Sequence, residues 1–511
     1  MRHRRWSMLA ALAMALSLAS PAQASGWHTP VAPMITLSPG LPVGSDVQAI
    51  LTVGESAGVA GFVFEGIPDG IGVMPGATED EVEVFVSHEQ STVPFLGAAD
   101  FQDSSVSHLT LDASDGGVLD ASVAIGPENG YIRFCSAFMA GPDEGFSSYT
   151  FFANEESNDV IDVPAGAPYG PDPAVDPQRQ AGYAVALNAE TGEFTQIAGM
   201  GRHNHENSVV VPGGWSGKSN GPYAILSGDD TFSAPSSQLY MYLAKHERHI
   251  WRDKGSLWAL RATAKNGQKV TPTDAFNEAN DYLDLDPGDE IQGRFIRVPK
   301  PIARGATDVP PQQALEDWSN AHNVFQFIRL EDIAYDRTTP RVVYIADTGT
   351  TRVIPDEATG RMQRGPGGTV GEADNGRIFR MEMNAKNPRK VDSLTVYADG
   401  DWEGTDVFVD GLNQPDNIDT SEASLMVQED TSGAQIWAHD FGTGTWTAVA
   451  TVNDPAGESS GIVNASEFLW DGAWLLDVQA HGSNESEQQV GDVLFKREDG
   501  QLLVMTIPGT T

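Results

Sequence analysis

Apolar and polar residues alternate in short runs along most of this chain. Examples are "DEVEVFVSHEQ", "YTFFANEES", "GYAVALNAETG", "SQLYMYLA", "RVVYIADTGT", "GRIFRMEMN", "SLMVQEDTSG", "AQIWAHD" and "AWLLDVQAH". A period of two places successive side chains on opposite faces of a strand. Asp, Thr and Gly clusters separate the runs, as in a meander. No spacing is regular enough for a sequence repeat, and the strands are too numerous for a sandwich. The pattern predicts an all-β fold, a β-propeller of about six four-stranded blades. Residues 262–320 break the alternation. They are polar, with a helix-like stretch "PQQALEDWSNAHNV", and read as an insertion that either covers a channel mouth or decorates the surface. Residues 25–511 form one domain in this reading.

Residues 1–24 have a basic start, an apolar middle and Ala22-Gln23-Ala24 before a cleavage point. That is the pattern of a secretory signal, too short in its apolar run for a membrane span. Arg4-Arg5 fits twin-arginine export loosely. The expected location is secreted or periplasmic. Cleavage removes three arginines and no acid, moving the formal charge from −40 to −43. Such a surface repels nucleic acid and anionic membrane and attracts cations. A monomer is expected. Cys135 is the only cysteine, so no internal disulfide forms, and a lone thiol of this kind reads as a small core residue. The 53 glycines and 31 prolines agree with a turn-rich β protein.

Four oxygen-rich clusters border apolar strands about one blade apart: "HNHEN" with His205, Glu206 and Asn207; "SGDDT" with Asp229 and Asp230; "RLEDIAYD" with Arg329, Glu331 and Asp332; and "NQPDNID" with Asp416 and Asn417. Each alone reads as a turn or cap. Together, on strands converging on one axis, they read as a shared centre for hard cations such as calcium, because clustered carboxylates repel unless an ion lies between them. Arg329 reads either as a counter-charge or as a fork for a phosphate oxygen pair. His88, His203, His246 and His481 are scattered, and lone histidines are more often structural. Serine-nucleophile and nucleotide-loop motifs are absent: "ESSGI" lacks an elbow, and "GPGGTVG" lacks the lysine and helix.

These segments carry a resemblance. "GMGRHNHENSVVV", "YAILSGDD", "SSQLYMYLA", "FIRLEDIAYD" and "LNQPDNIDTSEASLMVQED" are similar, in that order, to segments of the PhoX-type secreted alkaline phosphatases. "VEVFVSHEQSTVP" is similar to that family's Asn-His-Glu segment. The resemblance implies a propeller holding iron and calcium that hydrolyses small phosphate esters. It makes Glu206, Glu331 and Asp416 metal ligands and turns Arg329 toward the substrate phosphate; Asp229 and Asn417 of the oxygen-rich clusters, and Glu155, stand beside them as further candidate ligands. Metals would neutralise the phosphate and acidify the attacking water. In the family a cysteine of a Cys-Glu-Glu segment binds iron. The matching stretch here, "YTFFANEES", has Asn154 at that place, followed by Glu155 and Glu156, and Cys135 upstream corresponds to a non-ligand cysteine. An amide oxygen favours calcium or magnesium over iron. Two other readings compete: a calcium-dependent propeller lactonase or arylesterase, because "LEDIAYD" and "GLNQPDNID" also suit such sites, and a non-catalytic calcium-binding propeller.

Overall fold

The computed structural model describes residues 26–511 except 91–102, 163–177, 214, 216–221, 232–236, 351, 368, 370, 372, 485–487, 491, 492, 496 and 497. The expected signal segment, 1–24, lies outside the described residues.

Strands dominate, and six of them line a common axis: Pro68–Pro75, Phe134–Ala140, His205–Val211, Leu330–Tyr335, Pro415–Thr420 and Glu458–Asn464. Each touches the next, and the last touches the first, so the ring closes. His205–Val211, Leu330–Tyr335 and most of Pro68–Pro75 are buried at every position, because neighbouring sheets cover both faces. Farther from the axis, Val118–Ile125 is only partly covered, with Val118, Ala121 and Ile125 buried and the residues between them open in part.

The fold is all-β and propeller-like, but the count of separate sheets differs from about six blades. Four sheets of four or five strands stand alone. The two units beginning with His205–Val211 and Leu330–Tyr335 merge into one ten-stranded sheet. The cause lies in the expected insertion: Ile291–Arg297 pairs with both Ser256–Lys265 and Lys390–Asp399, filling the gap between two outer edges. Residues 262–320 are therefore partly sheet. Their helix, Pro311–Ala321, buries Leu315 and Trp318 among Tyr240, Leu257 and Val324, so the region is more than a surface loop. The seam of the ring is closed by Asp46–Thr52, which pairs with Glu498–Thr506 and holds N-terminal and C-terminal segments in one sheet.

Candidate metal centre

Every inner strand carries the same irregularity near its start. Pairing with the second strand is regular up to Pro68↔His88, Phe134↔Glu155, His205↔Asp229, Leu330↔Asp347, Pro415↔Glu429 and Ser460↔Asp477, then skips. At each skip two inner-strand residues face one partner residue, which is a β-bulge, and a bulge re-aims side chains. The first bulged residues are Asp69, Cys135, Glu206, Glu331 and Asp416, with Gly461 in the sixth. All five donors line one cavity of about 210 Å³. The backbone before three of them is left-handed without glycine: Ile67, Arg133 and Gln414 have φ of 52°, 47° and 53°. For a β-branched Ile this is an outlier, and such conformations cluster at functional sites.

A second tier comes from the residue that follows each second strand's last paired position. Glu89, Glu156, Asp230 and Asp430 stand there and line the same cavity, with Thr348 in the fourth unit bonding Glu331 Oε1 at 3.1 Å. The last unit departs from the pattern and contributes Glu458 and His481. Four groups of potential ligand atoms lie within 4.8 Å of one another: Asp69–Glu89–Cys135, Cys135–Glu156–Glu206, Glu206–Asp230–Glu331 and Asp416–Asp430–Glu458. Cys135 Sγ is 3.3 Å from Glu206 Oε2 and 3.5 Å from Asp69 Oδ2.

Arg329 enters this wall of acid from the start of its strand. Its Nε and Nη2 lie 3.1 and 3.0 Å from the two oxygens of Asp230, and Nη2 is 2.8 Å from Glu331. Nη1 is 3.4 Å from Asp430. Burial opposes the charge, but Asp230, Glu331 and Asp430 outweigh it and raise the guanidinium pKa further. His481 is likewise held charged: its bonds to Glu458 and Glu498 overcome burial and push it up to about 11. The carboxylates move the other way. Burial first, then mutual repulsion, lifts Glu206, Glu331 and Asp416 well above the carboxylate range and Asp69 to about 8. Two cationic side chains and Arg133 cannot balance nine carboxylates and a thiol. Multivalent cations would supply the missing charge, and the oxygen-rich donor set suits them.

Of the residues expected from sequence, Glu206, Glu331, Asp416 and Arg329 are brought together. Glu155, Asp229 and Asn417 are not. Glu155 is the last paired residue before a bulge; it accepts the backbone N–H groups of Ile132 and Tyr183 and pairs with Arg179 Nη2 at 2.6 Å. Asp229, at the equivalent place, accepts from Thr231 and Gln312. Both brace the wall behind the centre. Asn417 is a second bulged residue, one level below the donors: its amide crosses the axis, donating to Ser136 Oγ at 2.7 Å and accepting from Ser460 Oγ at 2.6 Å. Asn207 and Asp332 pair at the same level. Asn154 lies opposite the bulge in its unit, donating to the Ser136 carbonyl and accepting from Ser208. Cys135, expected in the core, stands at the donor position. Asp230, named with Asp229 in the "SGDDT" cluster, is the member of that pair that lines the cavity; missed in the sequence were Asp69, Glu89, Cys135, Glu156, Asp430 and Glu458. A recurring acid one residue past an apolar strand was the available signal. Of the scattered histidines only His481 lines the cavity; His88 bonds Ser107 and His203 stacks on His205.

A ring of acidic, cation-demanding donors with an arginine fixed among them, at the axis of a propeller-like fold, has the make-up of a metal-binding centre. The family described as alkaline phosphatase PhoX matches residues 150–465, and the chain belongs to that family. It is a metal-dependent phosphoric monoester hydrolase of the alkaline phosphatase type. The matched span holds Glu156, Glu206, Asp230, Arg329, Glu331, Asp416, Asp430 and Glu458; Asp69, Glu89 and Cys135 join them from outside it. No curated protein matches the chain.

Proposed function

We propose that this chain is an exported phosphomonoesterase acting on small phosphate esters with calcium and iron in its centre. The observation that carries the reading is Arg329, locked by two carboxylates among nine, inside a chain of the PhoX family. Carboxylate oxygens of Glu206, Asp230, Glu331, Asp416, Asp430 and Glu458 suit calcium. The Cys135 thiol, at a donor position beside Glu156, Glu206 and Asp69, is the soft ligand that suits iron. Burial and the surrounding acids push its pKa well up, so the thiolate forms only against a cation. Asn154 has both amide groups committed elsewhere, which supports Cys135 as the thiolate ligand.

Bound cations would neutralise phosphoryl oxygens and acidify the attacking water. Arg329 does the orienting. Asp230 and Glu331 hold its plane through Nε and Nη2, so developing charge on the phosphate finds a cation already fixed in place. The cavity of about 210 Å³ accepts a phosphate while the alcohol portion stays outside, which supports breadth toward the leaving group. The acidic surface and the basic, apolar N-terminal segment support export, and no helix among the described residues is long and apolar enough to cross a membrane.

The test is hydrolysis of p-nitrophenyl phosphate and of phenyl acetate, each with calcium and with chelator, alongside iron and calcium counts per chain. Phosphate release that needs calcium and is lost in Arg329→Ala supports the reading. Release that ignores chelator or survives that substitution overturns it, and turnover of phenyl acetate alone favours the lactonase alternative.

A further inference from the structure

At three of the six bulges the residue paired last before the skip has the same duty. Glu155, Asp347 and Glu429 each receive backbone N–H groups from the loop leading into their own inner strand: Ile132, Ile328 with Arg329, and Asn413. Asp477 holds the same register position in the last unit, opposite Ser460. Its loop does not return that service. The strand pairing runs on to Glu458↔Gln479 instead, and both oxygens of Asp477 are without a hydrogen-bond partner. Its exposure is 0%.

The neighbouring acceptors are in the same condition. Gln479, two residues along the same strand and 1% exposed, donates its amide to Asp69 Oδ2 at 2.8 Å, leaving its own Oε1 without a partner. Asp69, 3% exposed, engages Cys135 and Gln479 through Oδ2, while its Oδ1 has none. The Ser460 hydroxyl, across from Asp477, is given to Asn417. Strands Pro68–Pro75 and Glu458–Asn464 press together here, so tightly that a Cβ on Gly461 would lie 2.3 Å from the Asp69 carbonyl oxygen. Four acceptor oxygens of three side chains at the junction of first and last units, both of Asp477, Asp69 Oδ1 and Gln479 Oε1, thus have no hydrogen-bond partner, and Asp69 is close enough to Asp477 to raise its pKa by charge repulsion, after burial. Buried oxygens in that state are costly unless something positive meets them.

We propose that Asp477, Asp69 Oδ1 and Gln479 Oε1 bind one further hard cation of the calcium type at the seam where the ring closes, against the wall of the cavity that Asp69 and Gln479 also line. Carboxylate and amide oxygens without nitrogen or sulfur are the donors such an ion takes. Its position gives it a structural role. It ties the first unit to the last and, through the shared Asp69, couples seam closure to the centre.

Elemental analysis of the full, calcium-loaded protein decides the matter. Asp477→Asn is expected to lose one calcium per chain with its iron unchanged and to melt several degrees lower, while Asp477→Glu keeps the wild-type calcium count. An unchanged count in Asp477→Asn overturns the proposal, whatever the melting temperature, since a neutral Asp477 or a trapped water predicts that result. Should Asp477→Asn not fold, Gln479→Leu replaces it under the same two outcomes.

Discussion

The guanidinium of Arg329 lies edge-on to the carboxylate of Asp230, 99 positions away in sequence, with Nε 3.1 Å and Nη2 3.0 Å from its oxygens. Asp230 follows the second strand of one unit and Arg329 precedes the inner strand of the next, so the pair also latches two units of the ten-stranded sheet near the axis. A two-point contact fixes the plane of the arginine as well as its place. Lysine keeps charge but not plane. Arg329→Lys is therefore expected to lower kcat/KM for p-nitrophenyl phosphate by about 100-fold, and Arg329→Ala by at least as much, the scale of removing one preorganised donor. Equal metal content in both variants, measured on the same samples, ties the loss to the phosphate; activity retained in Arg329→Lys would speak against it.

Cys135 is the one soft donor in the cavity. Cys135→Ser is expected to lose iron and with it most activity, while retaining calcium, because a hydroxyl cannot replace a thiolate on iron. Unaltered iron in that variant would assign the thiol a packing role.

Removing cations exposes the repulsion they cover. Asp69 rises from 3.8 to about 8 on folding, so the folded state holds its proton more tightly than the unfolded chain. The stability this contributes is complete below pH of about 4 and is lost as pH rises to about 8, at up to ~1.4 kcal/mol per pH unit. Glu206 and Glu331 shift in the same direction. In chelator the melting temperature should fall between pH 5 and 8, and calcium should abolish the fall. A melting temperature that holds steady or rises in chelator contradicts a cation-balanced centre.

Glu155 tests the distinction between bracing and binding. Glu155→Gln breaks the buried pair with Arg179 and is expected to cost about 3–5 kcal/mol in denaturant unfolding, with unchanged metal per folded chain. A selective loss of one metal would return Glu155 to the centre.

Asn417 tests the layer below. Asn417→Leu leaves the Ser136 and Ser460 hydroxyls and the Gly461 N–H without their partner, at about 1–3 kcal/mol for each buried group left unmet. Stability should drop while calcium and iron counts hold.

Alternation and turn residues made strands and an all-β ring legible, since a period of two is local information. Glu206, Glu331, Asp416 and Arg329 were legible because four oxygen-rich clusters border strands about one blade apart and their segments resemble those of the family in order. Asp69 and Cys135 were not: in "PDGIGVMP" and "FCSAFMA" nothing local marks the first bulged residue, and only pairing with a second strand shows where the skip falls. Glu155 and Asn417 looked like ligands for the same reason in reverse. They are neighbours of donors in sequence, but a bulge sends adjacent side chains to different levels.

By itself the sequence determined the strand-rich character, the acidity and the supply of oxygen donors, because these depend on residue type and near neighbours. The tertiary structure alone decided which acids face the axis, which brace it, and where the single thiol goes. Those assignments depend on register between strands and on contact between sheets that lie far apart along the chain, and a one-residue change in register sends a side chain elsewhere.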